Sequence, residues 1–153
     1  MERARRARKA DRAVCRALLA EAIDGAGAMR GGPALVGVIT PEQLLERWLD
    51  TDQATVLLVG EIHRVVVGLA AATTFTRPGA TGLSGSIECC YVENEARGVG
   101  VGTALMDALM AWCARQGCRD VDALALPGDR ATKQRLEAQG FTARLLTLTR
   151  QMG

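Results

Sequence analysis

Aromatic side chains are scarce in this 153-residue chain: two Trp, two Phe and one Tyr make up 3% of it. The basic start, with Arg3, Arg5, Arg6, Arg8 and Lys9, therefore has no interleaved rings on which bases could stack. With a formal net charge of only +2, no nucleic-acid partner is expected. Histidine is down to His63 alone, in a predicted turn. The five cysteines, Cys15, Cys89, Cys90, Cys113 and Cys118, are an odd number. Cys89 and Cys90 point to opposite faces of a strand, and Cys113 and Cys118 lack a second pair, so no metal is expected. Serine is missing from the N-terminal stretch, which contains Glu2 and Asp11, unlike an organellar transit peptide. No apolar run reaches the roughly 18 residues of a membrane span, and none of signal-peptide type opens the chain. A cytoplasmic protein with free thiols and no membrane association is the expectation.

What is present is a single domain over residues 1–153, with 48% hydrophobic residues and no repeat. An Arg/Ala alternation predicts an edge strand over Glu2–Arg8. Val14, Ala17, Leu18 and Ala22 predict a helix over 12–23, stopped by Gly25 and Gly27. A loop follows at 28–35. Thr40, Pro41 and Gln43 open a second helix with capping-box character. "ATVLLVG" and "RVVVGLAAATTFT" read as a hairpin joined by "EIH", and "SIECCYV" as a third strand. A helix carrying Val101, Leu105, Leu109 and Trp112 follows, then a strand at "RDVDALAL", a helix at "RATKQRLEAQ" and a last strand at "FTARLLTLTR". The order is β-α-α-β-β-β-α-β-α-β, an α/β fold with a mixed, mostly antiparallel sheet flanked by helices.

Between the third strand and its helix lies "NEARGVGVGTAL". Gly98, Gly100 and Gly102 form G-x-G-x-G. Thr103 stands where a dinucleotide fold has its third glycine, and no Gly-Lys-Ser/Thr follows. The remaining reading is an anion cradle. Glycines let the backbone approach closely, amides converge at the helix N-terminus, and Arg97 adds a full charge. A plain strand-to-helix turn is the alternative.

Those residues carry a resemblance. "CYVENEARGVGVGTALMDAL" resembles the acetyl-CoA motif of the GCN5-related N-acetyltransferase (GNAT) family, Arg/Gln-x-x-Gly-x-Gly/Ala, filled by Arg97, Gly100 and Gly102. "DRATKQRLEAQGF" is similar to the family's second motif, with Gly140 and Phe141 matching. Asp129 stands at its Asn, Thr132 at its Ala, Arg135 at its Leu and Leu136 at its Tyr. The resemblance covers most of the chain and implies the GNAT-type acyl-CoA N-acyltransferase fold.

It also implies roles. The amides of Gly98, Val99, Gly100, Val101, Gly102 and Thr103 would hold the pyrophosphate of acetyl-CoA, with Arg97 and Asp129 at the same cofactor. The strand Cys90-Tyr91-Val92 would splay near a bulge and pair with the pantetheine arm, its amide polarising the thioester carbonyl. The tyrosine that protonates the leaving thiolate in many relatives is replaced by Leu136. The family's alternative base position falls at Leu124.

Alternation places Ser86, Glu88, Cys90 and Val92 on one face of their strand, with Tyr91 on the other. Glu88 is then the candidate catalytic base or a holder of a cationic acceptor. Met29, Arg30 and Trp48 are candidates for lining the acceptor pocket, in which the family also uses the loop 77–85. The expected function is N-acetyl transfer from acetyl-CoA to a primary amine, a small cationic molecule being favoured, by direct attack in a ternary complex. A non-catalytic acyl-CoA sensor and an interaction protein that keeps the fold without the cofactor are the alternatives. A homodimer through residues 141–150 is expected, since the chain after Phe141 is long enough for only one strand.

Overall fold

The computed structural model describes residues 1–36, 39–50 and 53–153. The elements are β1 (Glu2–Arg6), α1 (Arg12–Gly27), α2 (Gly32–Val36), α3 (Pro41–Leu49), β2 (Thr55–Ile62), β3 (Val65–Phe75), β4 (Leu83–Val92), α4 (Val101–Arg115), β5 (Cys118–Ala123) and α5 (Arg130–Ala138). One sheet of five strands has the order β1-β2-β3-β4-β5. Its first three pairings are antiparallel and β4/β5 is parallel. This is the mixed sheet expected from the element order.

The central strands β2 and β3 are apolar on both faces because helices cover both. Val56 and Leu58 of β2 face the α4 side with Val101, Leu105, Leu109 and Trp112. Leu57 and Val59 face the other side with Cys15, Leu18 and Leu19 of α1 and Leu45 and Trp48 of α3. Ala70, Ala71 and Ala72 of β3 have 0% exposure, so helices approach the sheet closely at its middle strand. Gly60 and Gly68 let the N-terminus of α4 rest on the sheet. A Cβ at Gly60 would stand 2.5 Å from Val101 Cγ1, and one at Gly68 would stand 2.9 Å from the Tyr91 carbonyl oxygen.

Local signals hold in several places. Thr40 accepts from the Gln43 amide and Gln43 Oε1 accepts from the Thr40 amide, closing the capping box of α3. The β2–β3 hairpin turns on His63 and Arg64, both with positive φ. Edge strand β1 turns Arg5 inward, onto Glu61 and Asp11.

Three expectations are corrected. Helix α1 runs through Gly25 to Gly27, because a glycine costs a helix only about 1 kcal/mol and the buried face of Cys15, Leu18 and Leu19 carries it. The loop expected at 28–35 gives way at Gly32 to α2, which runs to Val36. No strand forms after α5. Phe141 packs on the α4-side core, but Leu145, Leu146 and Leu148 beyond it are 83–92% exposed and have no layer to bury against.

Candidate active site

The site begins where two neighbouring strands part. The β4/β5 ladder runs from Leu83↔Cys118 to Ile87↔Ala123 and ends there, while β4 continues to Val92. Glu88 to Val92 therefore line an open wedge on the β5 side. At the same point β4 is bulged against β3: Ala71 pairs with Cys89 and Ala72 with Ile87, so Glu88 is the extra residue.

That bulge overturns the simple alternation. Cys90 and Val92 face the α4 core, as does Ile87, but Cys89 and Tyr91 face α1 and α3. Glu88 turns to α3 as well: its Oε2 accepts from Trp48 Nε1 at 2.5 Å, and its Oε1 from Arg47 Nη2. Glu88 and Cys90 do not share a face, and Tyr91 is not opposite Glu88. An extra residue shifts the period-2 pattern by one, and nothing in "SIECCYV" marks where it falls.

Beyond Val92 the chain makes a 3₁₀ turn at Asn94–Ala96 and then the glycine turns. Gly98 and Gly100 have φ of 82° and 96°, the left-handed region that glycine enters freely. Gly100 is the N-cap of α4, with no side-chain cap bond, and its carbonyl accepts the first helical bond, from Ala104. The amides of Val101, Gly102 and Thr103 thus precede the first helical donor of a 15-residue helix. About half a unit of positive charge develops there.

The two cations of the wedge differ from expectation. Arg97 turns back on β4: its Nε donates to the Val92 carbonyl at 2.9 Å, and its guanidinium lies over the Tyr91 ring. It braces the end of the strand against the turn. Arg135 of α5 was not singled out from the sequence, yet its Nη1 would stand 3.3 Å from a Cβ at Gly102. The helix N-terminus therefore has a guanidinium above it. Only the worn second motif touches this position in the sequence.

The remaining candidates separate. Asp129 accepts from the Thr132 amide at 3.1 Å and caps α5. Leu136 is buried in the α4-side core, beside the cluster that holds Phe141. Leu124 is 72% exposed. Trp48 is 3% exposed and reaches the site only through its N–H. Met29 and Arg30 lie in the turn after α1, where Arg30 and Gly31 meet Gly128 and Pro127 of the β5–α5 loop. The loop expected at 77–85 ends at residue 82, because β4 already begins at Leu83 on its ladder with β5; its Arg77 pairs with Asp120 and Asp122 of β5. Tyr91 donates its hydroxyl to Glu21 of α1, away from the wedge. Burial pushes the Cys90 thiol up, with Arg135 opposing the shift. Among the described residues no group of His, Cys, Asp and Glu is placed to hold a metal, and no helix is long and apolar enough to cross a membrane.

The sequence matches the family model described as the acetyltransferase (GNAT) family over residues 14–141. No curated protein matches it. Solved structures share the fold. A ribosomal-protein-alanine N-acetyltransferase from Brucella melitensis biovar Abortus 2308 superposes with a TM-score of 0.74 at 18% identity, covering 100% of both chains. An aminoglycoside N-acetyltransferase in complex with CoA gives 0.77 at 18% identity, covering 99% of this chain and 95% of that one. A glucosamine-6-phosphate N-acetyltransferase from Arabidopsis thaliana gives 0.71 at 17% identity, covering 100% and 99%.

Proposed function

From a chain that belongs to the acetyltransferase (GNAT) family, and is therefore an acyltransferase, we infer transfer of an acetyl group from acetyl-CoA to a primary amine. A small cationic molecule is the acceptor class, and attack is direct, within a ternary complex. One observation carries this reading: β4 outruns β5 by the segment Glu88–Val92 and leads into left-handed glycines and the uncapped N-terminus of α4.

The residues present fit acetyl-CoA. The amides of Val101, Gly102 and Thr103, with Arg135 above them, suit a pyrophosphate. The side of β4 that β5 leaves open, from Cys90 to the Val92 carbonyl that Arg97 holds, suits an extended arm that hydrogen-bonds as an added strand. Acetyl-CoA supplies an already activated thioester, so holding the two substrates together provides much of the rate. A β4 amide in the wedge would polarise the thioester carbonyl. Glu88 receives the acceptor's ammonium and takes its proton; Trp48 fixes one carboxylate oxygen, and the surface Arg47 pairs with the other, where the amine would bind. Cys90 is unsuited to an acyl-enzyme route, since burial favours its neutral thiol.

A second reading rests on Leu136. It is buried where relatives carry an acid, and Tyr91 is engaged with Glu21. Without a general acid, worth about 10²–10⁴-fold where it acts, a non-catalytic acyl-CoA sensor is the competing function. A homodimer joined through the chain beyond Phe141 is part of the proposal. It is supported by the exposed leucines there and by the outer edge of β5, which among the described residues pairs only with β4.

Calorimetric titration with acetyl-CoA tests the reading, with Gly102→Trp as control. Gly102 has no positive φ and its nearest neighbour is a flexible Arg135 terminus, so the indole fills the cradle without straining the turn. Micromolar binding abolished by the substitution supports the cradle. Absence of binding to the unmodified chain overturns it. Binding without release of coenzyme A across an amine panel selects the sensor.

A further inference from the structure

The two oxygens of the Glu88 carboxylate have unequal partners. Trp48, on Oε2, is 3% exposed and locked into the core between α1, α3 and the sheet. Arg47, on Oε1, comes from the same helix, but its side chain is 53% exposed while that of Glu88 is 17% exposed. One partner cannot leave; the other lies at the surface and can.

A mostly buried carboxylate needs a cation, because leaving it desolvated and unpaired is costly. The guanidinium meets that need from the surface, where water can solvate it as well and the pairing itself gains it little. An incoming ammonium can therefore replace it with almost no penalty. Arg47 offers that carboxylate only donors and has no acceptor for the amine's proton. Trp48 already ties α3 to the bulge, so the Arg47 contact is not required for that purpose.

We propose that Arg47 is a displaceable stand-in for the acceptor: its guanidinium occupies on Glu88 the place that a substrate ammonium takes. The site then selects amines cationic enough to compete with arginine, and Arg47 swings outward as they bind. Arg47 is a specificity-determining residue in this scheme rather than a catalytic one. The inference rests on the acetyl-transfer reading for what the bound amine is used for, but its test does not.

Carbon-13 NMR of protein labelled at its Glu carboxyls reads the contact directly, with the Glu88 resonance identified by its loss in Glu88→Gln. Spermidine is the probe cation and 1,4-butanediol the uncharged control. In Arg47→Gln the Glu88 resonance should move with a half-saturating spermidine concentration about two- to five-fold below that of the unmodified chain, the scale of an exposed ion pair. Butanediol should leave it still. Arg47→Met repeats the test with the apolar stem retained. Equal half-saturation in all three proteins, or a Glu88 resonance that ignores spermidine, overturns the proposal. Calorimetry with acetyl-CoA on the same samples keeps the two ideas apart: lost acetyl-CoA binding with an intact spermidine response sinks acetyl transfer and leaves the Arg47 proposal standing.

Discussion

The indole N–H of Trp48 donates to Glu88 Oε2 at 2.5 Å, joining a residue of α3 that is 3% exposed to the bulge residue of β4. The bond fixes the carboxylate at the point where β4 and β5 separate. If Glu88 takes the amine's proton, Glu88→Gln should lower turnover by about 100-fold or more, the usual scale of general-base help, with acetyl-CoA affinity unchanged. Trp48→Phe keeps the ring volume and removes the N–H, so it should lower turnover less. Steady-state rates beside calorimetry on each variant check this; loss of acetyl-CoA affinity in Glu88→Gln would show that the residue holds the fold of the wedge instead.

Replacing Cys90 is a cleaner test of the route. A ternary-complex mechanism uses its backbone and not its sulfur. Cys90→Ala should retain transfer within a few-fold, and no acetyl group should remain on the chain after incubation with acetyl-CoA. Mass spectrometry of the intact protein would reveal an acyl-enzyme if one forms.

The elements legible in the sequence were those with local causes. Thr40, Pro41 and Gln43 cap α3 as their spacing requires, and Gly98 and Gly100 take the left-handed turns that open α4. The site's finer geometry has non-local causes. The bulge at Glu88 is set by how β4 registers against Ala71 and Ala72 of β3, partners distant in sequence. The same register turns Glu88 toward Arg47 and Trp48, a contact spanning about forty positions that no periodicity encodes. Arg97 looked like a phosphate ligand because it precedes the glycines. Folding gives it the Val92 carbonyl and the Tyr91 ring, while Arg135 arrives beside Gly102 from α5.

Arg5 carries the inward charge of the edge strand. It contacts Asp11 at 2.8 Å and Glu61 at 2.6 Å, with side-chain exposures of 17%, 11% and 7% for the three residues. The Arg5 hydrogen bonds hold the Asp11 carboxyl below its ordinary range, against the opposing effect of burial. A depressed folded value means this stability is present above the unfolded pKa of about 3.9 and is lost as pH falls through the lower folded one. Asp11→Asn should cost roughly 2–3 kcal/mol at neutral pH, because it strips a partner from a mostly buried guanidinium. It should also flatten the fall in stability below about pH 4. Urea unfolding from pH 3 to 7 tests both, and an unchanged acid limb would count against the assignment.

The hairpin turn stores strain that can be removed. His63 and Arg64 form the two-residue link between β2 and β3, with φ of 49° and 70°. Left-handed backbone costs a side-chain-bearing residue about 1–2 kcal/mol, and Asn-Gly is the pair that such a turn prefers. His63→Asn with Arg64→Gly should raise stability by about 1 kcal/mol and leave acetyl-CoA binding untouched, since the turn is exposed. Thermal unfolding of the double variant measures it; a lower melting temperature would mean that one of the native side chains is held by contacts of its own.

The chain beyond Phe141 offers the test of assembly. Leu145, Leu146 and Leu148 are 83–92% exposed on a segment that forms no strand, and β5, whose one ladder partner among the described residues is β4, has an outer edge open to a further strand. Exposed, β-prone segments beside open edges associate. The full chain should sediment as a dimer, and truncation after Phe141 should give a monomer. Thr147→Pro separates the cause: it removes a ladder donor while keeping every leucine, so dissociation by proline points to strand pairing, whereas dissociation only by Leu146→Asp with Leu148→Asp points to apolar contact alone. Melting temperature should change little in the truncated chain, because the fully buried core residues all precede the cut. A full-length chain that sediments as a monomer at every concentration would remove the dimer and leave the tail without an assigned partner.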